Sequence, residues 1–113
     1  MNDLSPLRKQ RIEELIEQLP IKVAVPALIQ SLQDQDWYVR ATAARALRKI
    51  GESAKDAVPT LIQLLQDQEA EVRDYVADAL EKIGTPEALE ALEATKEYKS
   101  LLLLQEERSK PFW

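Results

Sequence analysis

Between Val25 and Gly84 the apolar positions recur at helical spacing, and the whole pattern is written twice, 33 residues apart. VPALIQSLQDQDWYVRATAARALRKIG lies over VPTLIQLLQDQEAEVRDYVADALEKIG with 17 of 27 positions identical. Each copy has a first apolar stripe, Leu28, Ile29 and Leu32 in one and Leu61, Ile62 and Leu65 in the other. A polar string follows, QDQD or QDQE. The second stripe is Val39, Ala43, Ala46, Leu47 and Ile50, matched by Val72, Val76, Ala79, Leu80 and Ile83. Spacings of three and four residues predict an amphipathic helix on either side of each polar turn. Pro26 and Pro59 fall near the start of the first helix of each pair, where the N–H that proline lacks has no intrahelical partner. The second helix opens near Asp36 or Glu69 and closes at Gly51 or Gly84, residues suited to a left-handed helix end. One such pair cannot bury both of its faces, so the repetition itself predicts stacking of units.

The flanks depart from the repeat. Ser5-Pro6 reads as a cap and first helical residue, and Leu7, Ile12, Leu15, Ile16 and Leu19 predict a helix from Pro6 to about Gln18, stopped by Pro20. Lying outside the repeat and carrying many charges, it is expected to cap one end of the stack. At the other end Thr85-Pro86, Ala88, Leu89 and Leu92 restart the pattern of a first helix. The next stretch, TKEYKSLLLLQEERSK, lacks the valine-arginine pair, the alanines and the closing glycine. A helix is expected from about Tyr98 to Arg108, either separate from or continuous with the one before, sealing the far end with Leu101 to Leu104. Four consecutive leucines cannot share one side of a helix, which leaves apolar surface for self-association or a partner. The expected organisation is one domain over 1–113, with a capping helix at 6–19, repeats at 24–51 and 57–84, a degenerate capping repeat at 85–108 and a tail at 109–113. Phe112 and Trp113 in that tail either pack back on the last helix or protrude as a docking motif.

Composition narrows the chemistry. Fifteen Lys and Arg against twenty Asp and Glu give a net charge of −5, which disfavours a nucleic-acid partner. Cysteine and histidine are both absent, removing thiolate chemistry, the usual soft metal ligands and the side chain best matched to proton transfer near neutral pH. No nucleophile or phosphate-binding motif is present, so no catalytic residue, cofactor or metal is assigned. The longest aliphatic run, Leu101 to Leu104, is far short of the ~20 residues of a membrane helix. The charged N-terminus lacks the apolar core of a signal peptide, and a cytoplasmic location is expected.

Pro26 and Pro59, Asp34 and Asp67 in the turns, Val39-Arg40 and Val72-Arg73, the alanine-rich second helix and the closing Ile-Gly together resemble the HEAT repeat family. The likeness covers residues 24 to about 93 and is nearest to the HEAT-like repeats of cyanobacterial phycobilin lyase-related proteins. It implies an all-α fold, a short right-handed α-solenoid of antiparallel helix pairs with about six to seven helices. It implies structural roles for Arg40 and Arg73, which would join a ladder with the turn aspartates. It also implies that the second helices line a concave surface where proteins bind, which makes the chain a non-catalytic adapter or scaffold. The alternative from the same resemblance is a phycobilisome-related role as a bilin lyase, lyase subunit or chaperone for phycobiliproteins.

On that surface the two copies differ. Trp37, Ala41, Arg45 and Arg48, flanked by Tyr38 and Lys49, lie opposite the first copy's apolar stripe; Ala70, Asp74, Asp78 and Glu81, flanked by Glu71 and Lys82, lie opposite the second's. One helix is basic and aromatic and its neighbour acidic. The expected partner-binding set is Trp37, Tyr38, Arg45, Arg48, Glu71, Asp74, Asp78 and Glu81. Two plainer readings stand beside it: Arg45 with Asp78 and Arg48 with Glu81 as lateral salt bridges, and Trp37 as a cover for the helix start. The acidic spacing also suits a hard cation, although a solvated charged face is the commoner reading.

Overall fold

The computed structural model describes residues 10–11 and 19–109, the last four by backbone alone. Among them the chain forms helices α1 (Ile21–Ser31) and α2 (Trp37–Ile50), a 3-10 segment (Gly51–Ala57), then α3 (Val58–Leu64), α4 (Ala70–Ile83) and α5 (Pro86–Ser109), with no strand. These five α-helices are fewer than the six to seven expected. Of the two forms foreseen for the third unit, separate helices or a continuous one, the structure has the continuous one, the single helix α5. Nothing like a glycine or a Gln-Asp-Gln turn interrupts it. Of the expected capping helix, Gln10 and Arg11 are helical, while Leu19, expected within it, is an exposed bend; residues 6–9 and 12–18, like Phe112 and Trp113, lie outside the described residues.

The two units enter their first helices differently. Pro59 stands in the first turn of α3, as its missing N–H favours, but α1 begins at Ile21 and encloses Pro26. The expectation that Pro26 marks a helix start is therefore corrected: Val23 and Ala24 both bond to the Pro20 carbonyl, so the helix is already under way when proline removes one later bond. In the second unit the matching stretch is the 3-10 segment, broken at Ala54 (φ −96°, ψ 20°), with Ala54 and Ala57 buried.

The turns are built by aspartate. Asp34 Oδ1 accepts from the Asp36 N–H at 2.8 Å, and Asp36 Oδ1 accepts from the Tyr38 N–H at 2.9 Å, capping α2. In the second unit Asp67 Oδ1 accepts from the Glu69 N–H at 3.0 Å, whereas Glu69 makes no side-chain cap to α4. Thr85 Oγ1 accepts from the Ala88 N–H and caps α5. Both second helices stop at a positive-φ glycine. Gly84 is left-handed (φ 69°, ψ 16°), while Gly51 (φ 72°, ψ −138°) lies where side-chain-bearing residues scarcely go.

The core is one cluster running through both units, with Leu28, Leu32, Leu47, Leu61 and Leu80 fully buried and small alanines between them. Helix α2 packs against α1, the 3-10 segment and α4, and α4 against α3 and α5. All the residues of both second stripes are buried except Ile50, which is half-buried on the cluster. Ala41 is also buried, at 4% exposure, so its expected place on the open face is corrected. A helix packed on several sides has no single open face, and Ala41, Thr42 and Ala44 are interior too. Thr42 is accommodated because its hydroxyl donates to the Tyr38 carbonyl at 2.8 Å.

Only the first half of α5 belongs to the core, through buried Ala88 and half-buried Leu92. Every residue from Lys96 to Gln105 is exposed. Leu101 to Leu104 are 43 to 63% exposed, so they do not seal the stack as expected. At ~1.5 Å rise per residue, a 24-residue helix laid along the 14-residue α4 overhangs it by about 15 Å. The Cα radius of gyration, 16.4 Å against ~13 Å for a compact domain of this length, reflects that extension and a thickness of 16 Å.

Candidate protein-interaction face

Two groups of polar residues occupy the second helices: one set joins the units, the other faces solvent. The first centres on Arg40. Its Nε donates to Asp67 Oδ2 at 2.8 Å and its Nη2 to Asp67 Oδ1 at 3.1 Å, a two-pronged pair between the units. Its Nη1 donates to the carbonyls of Asp34 and Gln35 at 2.8 and 2.9 Å, fixing the turn of its own unit. Planar guanidinium suits such a fork and ammonium does not. Arg40 and Asp67 side chains are 16% and 6% exposed. Burial of Asp67 pushes its pKa up, but hydrogen bonds from Arg40 and the Glu69 N–H and the charges of Arg40 and Arg73 outweigh it. The carboxyl titrates below its ordinary value of 3.8. Arg73, the counterpart one unit on, donates to the Asp67 carbonyl, and the sequence offers no further Gln-Asp-Gln turn for its other prongs. Arg40 and Arg73 are thus structural residues that stitch turns together.

The second group is the expected binding set. Arg45 and Arg48 on α2 and Glu71, Asp74, Asp78 and Glu81 on α4 are all exposed. Trp37 is half-buried against the core, and its ring meets Tyr38 edge-on at a centroid distance of 5.5 Å and an angle of 85°. It covers the start of α2 while leaving part of the indole open. Between the two helices lies an open cleft of about 460 Å³ lined by Arg48, Asp78, Glu81 and Lys82. Among the described residues no ion pair joins Arg45 or Arg48 to Asp78 or Glu81, so the expected lateral salt bridges are not formed. Arg48, Asp78 and Glu81 border the same cleft, and all four side chains are exposed to solvent. Nor do any three acidic side chains among the described residues converge as a metal-binding cluster.

Sequence reasoning missed one contributor to the cleft and left one exposed aromatic without a role. Lys82 was placed on a flank and instead lines the cleft. Tyr75, 37% exposed between Asp74 and the buried Val76, was given no role. Its signal was present: the first copy has threonine at the same position, and a tyrosine where the partner copy buries a small residue marks a change of environment.

Paired helices, repeated turns joined by arginine and an unbroken core define an α-helical repeat protein. A profile of HEAT repeats matches residues 4–56 and 25–100, and the chain belongs to the HEAT repeat family. None of the curated proteins matches it. Among the described residues no helix is long and apolar enough to cross a membrane.

Proposed function

We propose that the chain is a non-catalytic interaction scaffold, a short right-handed solenoid that binds a protein segment across the face shared by α2 and α4. HEAT repeats commonly serve as protein-interaction scaffolds, and one observation carries the reading to this face: opposite charges stand exposed on adjacent helices around a common cleft, unneutralised by one another. Exposed charges that do not pair internally remain available to an incoming segment and steer its approach. Arg45, Arg48 and the open edge of Trp37 and Tyr38 would take acidic and apolar residues. Glu71, Asp74, Asp78 and Glu81 would take basic ones, so the fitting ligand carries both signs in sequence. The adapter role and the cytoplasmic setting belong to this proposal.

The test is fluorescence anisotropy with labelled peptides that are acidic, basic, or acidic followed by basic. The two-signed peptide is expected to bind best, and Arg45→Glu with Arg48→Glu to weaken it about tenfold or more. Equal binding of all three peptides, or an unchanged double variant, would remove the site. Trp37→Ala is a poor substitute because it also opens the core. The bilin-lyase reading implied by the resemblance draws no support from the HEAT repeat match; a shift in the absorption of a free bilin on mixing with the chain would revive it.

A further inference from the structure

Two arginines at one register of the repeat are tied down in the same way and end differently. In each, Nη1 donates to the carbonyl of the turn aspartate six residues earlier, Asp34 for Arg40 and Asp67 for Arg73. The edge left over is the pair Nε and Nη2. Arg40 turns that edge to the two carboxylate oxygens of Asp67, at 2.8 and 3.1 Å. On Arg73 the same edge has no partner among the described residues.

The next unit explains the difference. Asp67 stands eight residues after Pro59, and eight residues after Pro86 stands Ala94, inside the uninterrupted α5. The third unit thus brings no carboxylate to the place where the second brought one. Among the described residues no buried side-chain nitrogen lacks a hydrogen bond, so the open edge of half-buried Arg73 reaches solvent. Its guanidinium is still oriented through Nη1, which lowers the rotamer entropy lost when a ligand is gripped. The surface beside it is open too: α4 exposes Asp74 and Tyr75 at the positions where α2 buries Ala41 and Thr42.

We propose that the open edge of Arg73 is a binding site for a carboxylate of another protein, an aspartate in a helix-capping turn of the kind this chain itself uses. The molecule supplies the example. Asp67 fills the fork of Arg40 while its Oδ1 also accepts from the Glu69 N–H, which steadies the carboxylate as both oxygens meet the guanidinium. A partner turn of the same build presents its aspartate in the same way. Asp74 and the net charge of −5 repel a segment of bare negative charge, so the fitting turn leads into a helix that begins with lysine or arginine. Arg73 does not line the cleft between α2 and α4, and the proposal holds whether or not that face binds.

The arginine Nε–H resonances of the isotope-labelled full chain read each site separately. The probe is a Gln-Asp-Gln-Lys-Ala-Lys peptide, acetylated and amidated. The Arg73 signal is expected to move and saturate with a dissociation constant on the order of a millimolar, while Arg40, its fork filled by Asp67, stays in place. The same peptide with asparagine for aspartate should leave Arg73 unmoved. Arg73→Lys keeps the charge and loses the fork; followed at the backbone amides of the Asp67 turn, it should weaken binding about fivefold or more at unchanged helicity. Arg45 and Arg48 report the α2 and α4 face in the same spectra, so the two readings fail independently. A still Arg73, an equal response to the asparagine peptide, or lysine binding as tightly as arginine would overturn the proposal. Acetate binding as tightly as the peptide would overturn the assignment to a protein turn.

Discussion

Helices α2 and α4 are equivalent elements of the repeat, share seven of 14 residues and are the same length, yet they live in different surroundings. Helix α2 buries seven residues and α4 five. The differences fall at equivalent positions: Ala41 is buried where Asp74 is exposed, Thr42 is buried where Tyr75 is 37% exposed, and Ala44 is fully buried where Ala77 is half-buried. Alanine and a back-bonded threonine let α2 be packed on several sides; aspartate and tyrosine keep α4 facing water. A repeated motif therefore sets helix, turn and cap, while residues that vary between copies report position in the stack.

Paired substitutions turn this contrast into measurements. The largest separation is expected from the arginines. Arg40→Ala strands the mostly buried Asp67 carboxylate and two turn carbonyls and should cost ~3 to 5 kcal/mol in chemical denaturation. Arg73→Ala removes a bond to one carbonyl and should cost about 1 kcal/mol. Equal losses would show that the inter-unit pair contributes nothing special. Next comes overpacking: Ala44→Leu forces three carbons into a closed site and should cost up to ~3 kcal/mol, whereas Ala77→Leu should stay within ~1 kcal/mol.

The glycines give a smaller difference. A Cβ at Gly51 meets nothing within 4 Å and one at Gly84 meets the Glu81 carbonyl at an ordinary 3.5 Å, so backbone conformation alone decides. Gly51→Ala, in the rarer region, should cost ~2 kcal/mol and Gly84→Ala ~1 kcal/mol, read as a difference in melting temperature. Smallest is the acid response of Asp67. Its pKa is depressed on folding, so the stabilisation is complete well above the ordinary value of 3.8 and is lost as pH falls through the lower folded value. Asp67→Asn should flatten the melting-temperature profile below about pH 4 relative to the wild type; parallel profiles would show that this carboxylate does not couple to folding.

Helices, turns and both apolar stripes were legible in the sequence because period and punctuation are local properties. The roles of Arg40 and Asp67 were anticipated through the resemblance to HEAT repeats, which implies a ladder between a basic residue at this register and the turn aspartates. Ala41 was misplaced because a helical wheel assumes one buried side, and how many sides are covered depends on neighbours far along the chain. Pro26 misled for a related reason: a helix that begins before its proline differs from one that begins at it only through residues upstream. The leucine run was read as core because apolar side chains usually are, and where the chain runs straight on rather than folding back is decided by the absence of a turn. On the candidate face, exposure of Arg45, Arg48 and the acidic residues followed from pattern. Whether they paired depended on distances between side chains that no spacing rule supplies.

The inter-unit rung also makes the fold extensible. The first unit's Arg40 gives to the aspartate of the unit after it, Asp67, and the second unit carries an arginine, Arg73, at the equivalent position. A duplicate of residues 52–84 spliced in after Gly84 would bring a new aspartate turn to Arg73 and offer a fresh arginine beyond it. The molecule thus contains its own rule for growing longer: insertion of a whole unit adds an interface of the kind already present and requires no other residue to change.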